Sequence, residues 1–479
     1  MVAERQQERD AFLAAGAAVY DQVIPPEGEL PRTTFSELEN ALKPQADFLA
    51  ALLCEKRLRL DPLAQPGEEF LCPHCARRMR VQNHAQERKL DTLSGAIEYQ
   101  RPYCVCDACG FCGAPLDRAL GIPTQGPSIA RRELICYTAA QDRSFERARR
   151  TLARHRIRIS DEAIRQLAEG EGRHLNQLRD QNVEDCFRQT ARARSGATPE
   201  LLVITCDGGM IQTCDGEPPW KSDKIGCVYD ALPRPDIHAV SATRYRGATA
   251  RTKTYVGTMR PWADLGRMLY AEAVCRGSLQ ARQFLFLSDG AEAIKELRSE
   301  HFPNAFALID WFHAGQHLHD CAKAAFPENP AQAGAWAEAT TGLLWNGQLD
   351  RVIDAIRQES LRMGSPPALA SAADPRLVLQ RNVGYFTANQ REMDYPTCRA
   401  HGWPIGSGVA ESAVKLFGLR LKGSEKFWCV RGAEEMLGLC ALYYSEDGRW
   451  DRHWRLRAAP HPSPIQLKST PQAPAPALL

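Results

Sequence analysis

A chain of 479 residues that is 44% apolar and 25% charged has material for about three ordinary domains, which excludes a low-complexity or wholly disordered polymer. A formal net charge of +2 excludes a uniformly basic nucleic-acid coat, and no stretch approaches the ~18 apolar residues of a membrane helix, so no membrane partner is expected. Seventeen cysteines, most of them single within apolar segments, point to a reducing compartment, and the charged start MVAERQQERD reads as a soluble, cytoplasmic chain.

Residues 1–63 carry helical spacing in FSELENALKPQADFLAALLCEKRL after a PPEGELPRTT break, and form an N-terminal arm without an assigned role. Residues 64–118 are cysteine-rich. Cys72 and Cys75 form one CxxC knuckle, and Cys104, Cys106, Cys109 and Cys112 follow about thirty residues later. Paired knuckles place four thiolates around one zinc ion. The segment between them reads as strands with a turn at Ser94-Gly95, the pattern of a zinc ribbon. The second knuckle is either Cys106 with Cys109 or Cys109 with Cys112; the turn in PYCVCDACG favours the first.

Residues 119–198 read as helices. Residues 143–158 hold seven arginines against one glutamate, and Ser160 before Asp161 and Glu162 is a helix start. Short helices around a short turn suggest a helix-turn-helix, with Arg143, Arg147, Arg150 and Arg154 as candidates for DNA phosphates.

Residues 199–313 alternate strands and helices. LLVITCDGG, IGCVYDAL and TKTYVGTM are expected as three strands. WADLGRMLYAEAVCRG follows as a helix, then QFLFLSDG as a strand, AEAIKELRSEHFP as a helix and NAFALIDWFH as a strand. That is the element order of a ribonuclease-H-like core. Asp207 and Asp289 lie near the ends of the first and fourth strands. Residues 314–400 are expected as an all-helical insertion, with Trp336 and Trp345 as core residues or stacking platforms for a flipped base. Residues 401–456 return to the core with Glu411 on a helix. The proline-rich segment 457–479 is expected to be a disordered tail. The fold class expected is therefore a multidomain α+β chain: zinc ribbon, helical DNA-binding region, and α/β core split by helices.

Asp207, Asp289 and Glu411 come from three separate elements. Two-metal phosphoryl transfer needs hard oxygen ligands converging in that way on ions roughly 3.5–4 Å apart, with Mg²⁺ or Mn²⁺ favoured over zinc. Lys422, Lys426 and Trp428 follow Glu411 and are candidates for gripping DNA, Trp428 more as core.

Three segments carry a family resemblance. CDGG followed by WKSDKIGCVYD, then FLSDGAEAIKELRSEHFPNAFALIDWFHAGQHL, then REMDYPTCRAHGWPIGSGVAESAVKLFGLRLKGSEKFWCVRGAEEMLGLCALY resemble the Kra-type insertion-sequence transposases, of the DDE group related to Mutator-like elements. The resemblance spans roughly residues 65–455. It implies a DDE transposase that cuts element ends and joins them to target double-stranded DNA, with two Mg²⁺ or Mn²⁺ ions on Asp207, Asp289 and Glu411. It also implies a homo-oligomer on DNA, in the bacterial cytoplasm and associated with the nucleoid. The related transposases pair Cys72 and Cys75 with the knuckle matching Cys106 and Cys109, holding one structural zinc. In Mutator-like relatives a [C/D]xxH motif follows the second catalytic aspartate. Asp310 to His313 match it, which leaves Asp289 as the second acid and puts Asp310 and His313 in supporting places. The rival readings are a catalytically silent, transposase-derived DNA-binding protein and a structure-specific nuclease on the same fold.

Overall fold

Capping and turn chemistry set where the first elements begin. Helix α1 (Val2–Val23) precedes α2 (Phe35–Arg59), whose start is a reciprocal box: Thr34 Oγ1 accepts from Glu37 N and Glu37 Oε2 accepts from Thr34 N at 2.8 Å. Strands β1 (Glu69–Leu71), β2 (Arg78–Thr92), β3 (Gly95–Val105) and β4 (Cys112–Gly113) follow. The expected turn at Ser94-Gly95 joins β2 to β3, with Gly95 at φ 120°. Then come α3 (Pro115–Ala119), α4 (Ile129–Gln141), α5 (Phe145–Arg154) and α6 (Asp161–Phe187), the last capped by Ser160 Oγ accepting from Ala163 N. The computed structural model describes residues 2–28, 30, 32–65, 69–189, 199–236, 238–242, 244–423, 425–462 and 465–467.

The alternating region gives β5 (Leu201–Gln212), β6 (Trp220–Leu232), β7 (Thr249–Thr258), α7 (Trp262–Cys275), β8 (Gln283–Ser288), α8 (Glu292–His301) and β9 (Phe306–Ile309). Five helices follow: α9 (Trp311–Ala325), α10 (Pro330–Trp345), α11 (Leu349–Met363), α12 (Pro375–Ala388) and α13 (Tyr395–His401). The chain closes with α14 (Gly408–Leu421), α15 (Val430–Tyr444), α16 (Arg449–Arg457) and β10 (Ile465–Leu467). No helix among the described residues is long and apolar enough to cross a membrane.

The chain divides into two units: Met1–Thr138, Glu146–Ile164 and Trp450–Leu479 make one, and Ala139–Phe145 with Arg165–Arg449 make the other. In the first, an antiparallel sheet runs β10-β1-β2-β3-β4. Helix α2 covers the β2–β3 hairpin through Leu58, Leu90, Ile97, Tyr99 and Leu116. Asp117 is buried there and satisfied by Tyr99, Arg88 and Arg101. The tail differs from expectation. Residues 465–467 pair antiparallel with β1, because Ile-Gln-Leu finds an unpaired strand edge. The rest of the expected tail from residue 463 lies outside the described residues, as does segment 190–198, where a domain boundary was expected.

In the second unit a mixed sheet runs β7-β6-β5-β8-β9. β5 pairs antiparallel with β6 over its whole length and parallel with β8 only from Leu201 to Thr205. Leu202, Ile204 and Cys206 face a core completed by α7 and α8, through Leu265, Met268, Leu269, Ile294 and Leu297. Val203, Thr205 and Asp207 have the opposite parity. They face α14, which packs on β5 and β6.

Helix α6 lies against α15 because two glycines remove the side chains between them. A Cβ on Gly172 would overlap the Glu435 carbonyl, and one on Gly438 would overlap Asn176 Oδ1. Gly172→Ala is therefore expected to cost about 1–3 kcal/mol through forced separation of the helices. Urea unfolding with unchanged m and a lower midpoint is the expected observation.

Candidate metal centre and acidic cluster

Two equivalent turns build the cysteine site. Cys72 N donates to Arg77 O at 2.8 Å and Ala76 N to Cys72 O at 2.9 Å; Cys106 N donates to Phe111 O at 2.8 Å and Gly110 N to Cys106 O at 2.9 Å. The residue after each second cysteine turns left-handed: Ala76 at φ 57° and Gly110 at φ 74°. Four sulfurs converge as a result. Cys72 and Cys109 are 3.5 Å apart, as are Cys75 and Cys106, and all four lie within 4.8 Å of one another. A tetrahedron of Zn–S bonds near 2.3 Å has edges of about 3.8 Å, so the cluster fits a structural metal such as zinc. Burial alone would raise the Cys106 thiol, but the N–H groups of Ala108 and Cys109 and neighbouring thiols bring it down to about 7. The choice left open by the spacing falls on Cys106 and Cys109; Cys112 instead sits in β4 and bonds Tyr103. His74 packs against Phe111 with the rings tilted by 50° and their centroids 4.5 Å apart.

The acidic cluster is built by strand register. β5 and β8 pair as Leu201↔Gln283 through Thr205↔Leu287. Continued by two residues, that register sets Asp207 level with Asp289. Asp289 follows the end of β8, but Asp207, expected near the end of its strand, lies within β5, which runs on beside β6 to Gln212. Asp207 Oδ1 accepts from Gly208 N at 2.7 Å and Asp289 Oδ1 from Ala291 N at 2.9 Å. Burial pushes the Asp207 carboxyl up. The negative charges of Asp289 and Glu411 add to the rise, while Gly208 N–H and Lys422 oppose it. Glu411, in the first turn of α14, is exposed and reaches Lys415 Nζ at 3.3 Å. The three carboxylates thus share one field, but among the described residues only the four cysteines bring three or more ligand atoms within 4.8 Å.

Asp310 has a different task. It is 2% exposed, caps α9 by accepting from His313 N at 2.6 Å, and also accepts from Ser407 N. Trp311 N donates to Ile405 O at 2.8 Å, so the start of α9 and the approach to α14 are held together. His313 Nε2 lies 3.3 Å from His317 Nε2. His317 Nδ1 is 2.6 Å from Asn382 Oδ1, so this nitrogen carries the proton and donates, leaving Nε2 to accept. His317 stacks on Tyr385 at 3.9 Å, and Tyr385 OH donates to the Asp289 carbonyl at 3.1 Å. Sequence reasoning missed His317, Tyr385 and Asn382. The i, i+4 histidines in WFHAGQHLHD were the available signal for the first. A cavity of about 660 Å³ opens beside His317, Tyr385, Lys323 and Arg381.

The other predicted residues are distributed as follows. Lys422 faces the acidic cluster. Lys426 Nζ donates to the carbonyls of Leu419 and Arg420 at the end of α14, and burial with the Arg420 and Arg143 charges pulls it down to about 8. Trp428 is buried beneath the Arg420 guanidinium, and its indole donates to Leu421 O. Trp345 is buried, donates to Ala239 O and lies under Arg399; Trp336 packs beside Ala322, Ala333 and Ala337. In α5, Ala148 and Leu152 face inward, while Arg150 reaches Glu146 and Arg149 reaches Asp161 at 2.7 Å.

No protein-family model and no curated protein matches the chain. Among solved structures, a Drosophila P element transposase strand transfer complex is similar at 10% identity and a TM-score of 0.30, over 69% of this chain and 95% of that one. A likeness that weak carries no argument about fold or function.

The sulfur geometry yields a sharp expectation. Purified protein carries about one zinc per chain. Cys72→Ser and Cys106→Ser lose it, whereas Cys112→Ser keeps it, as read by elemental analysis of the purified variants.

Proposed function

We propose that the chain is a DDE-type DNA transposase of an insertion sequence, which hydrolyses a phosphodiester at the element end and transfers the new 3′-hydroxyl into target DNA. The observation that carries this reading is the register that, continued two residues past Thr205↔Leu287, sets Asp207 within β5 level with Asp289 just beyond the end of β8, with the charge of Glu411 felt at Asp207. Sheet order supports it. Three antiparallel strands followed by two parallel ones, ordered β7-β6-β5-β8-β9, is the arrangement of a ribonuclease-H-like core. The long ordered motifs that resemble those of Kra-type transposases favour element ends over other structured DNA as substrate.

Asp207, Asp289 and Glu411 would hold two Mg²⁺ or Mn²⁺ ions. All donors are carboxylate oxygens, and Asp207 is already crowded by negative charge, a setting that favours hard cations. Such ions supply activation of the attacking oxygen and stabilisation of the leaving one. The chain's own residues do the positioning. Gly208 N–H and Ala291 N–H fix one oxygen of each aspartate. Tyr385 braces the Asp289 carbonyl, and Asp310 pins the loop that aims α14. Lys422 sets a positive charge beside the carboxylates, suited to a phosphate oxygen. The reading places the protein on bacterial DNA in the cytoplasm, as a homo-oligomer bridging two ends.

Asp207→Asn, Asp289→Asn and Glu411→Gln are each expected to reduce metal-dependent cleavage of DNA carrying the element's ends by about 10³-fold or more, with end binding retained. Asp310→Ala should leave reduced but measurable cleavage. Full activity of Asp289→Asn on gels of end-labelled DNA would overturn the assignment.

The arginines of α5 give a second test. Replacing Arg147, Arg150 and Arg154 by Ala should weaken binding and flatten its dependence on salt by roughly one unit of log–log slope per lost phosphate contact. A slope equal to wild type in filter-binding titrations would show that these arginines only solvate their helix.

A further inference from the structure

Four aspartates are buried among the described residues: Asp61, Asp117, Asp223 and Asp310. Three are satisfied. Asp61 accepts from Leu63 N and Arg57, Asp117 from Tyr99 and two arginines, and Asp310 from two backbone N–H groups. Asp223 differs. It is 0% exposed, and neither carboxylate oxygen has a hydrogen-bond partner beyond its own backbone N–H. A carboxylate taken out of water without partners is costly, and chains tolerate it where something else completes the site.

Its position says what completes it. Asp223 lies on β6 directly opposite Gly209 of β5, while Asp207 lies opposite Ile225. Directly opposed residues share a face, and Gly209 shares parity with Asp207, so Asp223 and Asp207 are diagonal neighbours on the face that meets α14. Gly209 carries no side chain between them. A Cβ there would lie 2.6 Å from Asp223 Oδ1 and would collide with Lys422 Nζ. The space over Gly209 is therefore shared by one carboxylate and one ammonium that form no ion pair. Thr205 Oγ1, also 0% exposed and on the same face, has no partner either. An unsatisfied acid aimed at the Asp207 side of the sheet is what an additional cation ligand looks like before the cation arrives.

We infer that Asp223 is a fourth carboxylate of the acidic site, a ligand for the same divalent cation that Asp207 would hold. The inference rests on the proposed transposase reading and extends its ligand set. Lys422, not bonded to Asp223, stays free to meet a phosphate oxygen beside that cation. Gly209 is then required because any side chain would fill the cation's approach.

Direct Mn²⁺ titration of the full chain, followed by electron paramagnetic resonance, tests this without reference to catalysis. Wild type, Asp223→Asn and Asp207→Asn are compared, together with their melting temperatures in the absence of added metal. Asp223→Asn should weaken Mn²⁺ binding about 10-fold or more, the scale on which metal sites respond to lost ligands and their supports. Its metal-free melting temperature should hold or rise, because the substitution removes an unsatisfied buried charge. Mn²⁺ affinity within about twofold of wild type overturns the inference. So does a metal-free Asp223→Asn that melts well below wild type or fails to fold, since the carboxylate would then serve the fold. If Asp207→Asn weakens Mn²⁺ binding and Asp223→Asn does not, Asp223 alone is misassigned. If wild type binds no Mn²⁺, the transposase reading fails with it.

Discussion

The second unit depends on a parallel pairing that stops early. β5 runs to Gln212 alongside β6, but its bonds to β8 end at Thr205. Beyond that point β8 is paired only with β9, through Ser288↔Ile309, and the chain then turns through Gly290, whose φ of 86° suits glycine. Two aspartates that are level in register thereby lie past the last β5–β8 pair, Asp207 still paired with Ile225 of β6 and Asp289 beyond the end of β8. Strand register therefore brings the two carboxylates to neighbouring positions with no backbone bond between them. A longer β5–β8 pairing would have bonded Asp289 into the sheet beside Asp207, and a one-residue slip would have turned Asp207 into the α7 core.

That closeness has an electrostatic consequence. Neighbouring like charges repel, and burial adds to the penalty. The chain accepts this at Asp207, whose carboxyl is raised by burial and by Asp289 and Glu411. It supplies one opposing charge, Lys422, from the end of α14. Asp310 makes that arrangement possible from a distance. By holding Ser407 N and capping α9, it ties the exit and return of the whole α9–α13 excursion to a single point. The helices between can then vary in packing without moving the start of α14.

Much of this was legible in the sequence, for identifiable reasons. Strands buried on both faces announce themselves as unbroken apolar runs, as LLVITC and QFLFLS do. The cysteine knuckles announce themselves by spacing. Asp223 was hidden because β6 begins earlier than its apolar run: the strand was expected from Ile225 but starts at Trp220, taking in the polar stretch WKSDK. Asp223 thus fell outside the expected strand. Strand ends at a site are polar because of what they hold, and polarity is what a pattern search takes for a loop. The roles of Lys422 and Lys426 were equally illegible. Both sit in a basic run, yet one faces carboxylates and the other closes a helix end, a difference set by a single turn of backbone.

The two candidate metal sites also differ in how far they are formed in advance. At the cysteines, paired backbone turns fix four sulfurs at tetrahedral spacing, so little ordering remains to oppose a metal and the site reinforces its own unit. At the carboxylates, two ligands are fixed by strand register while the third, Glu411, is exposed and turned to Lys415. Closing that site means exchanging an exposed ion pair, worth ~0–1 kcal/mol, for contact with a cation. On the proposed function, so small a cost would suit chemistry in which a DNA strand must enter and leave. A structural site gains from being closed, whereas the carboxylate site keeps its exposed member, Glu411, solvated on the first turn of α14.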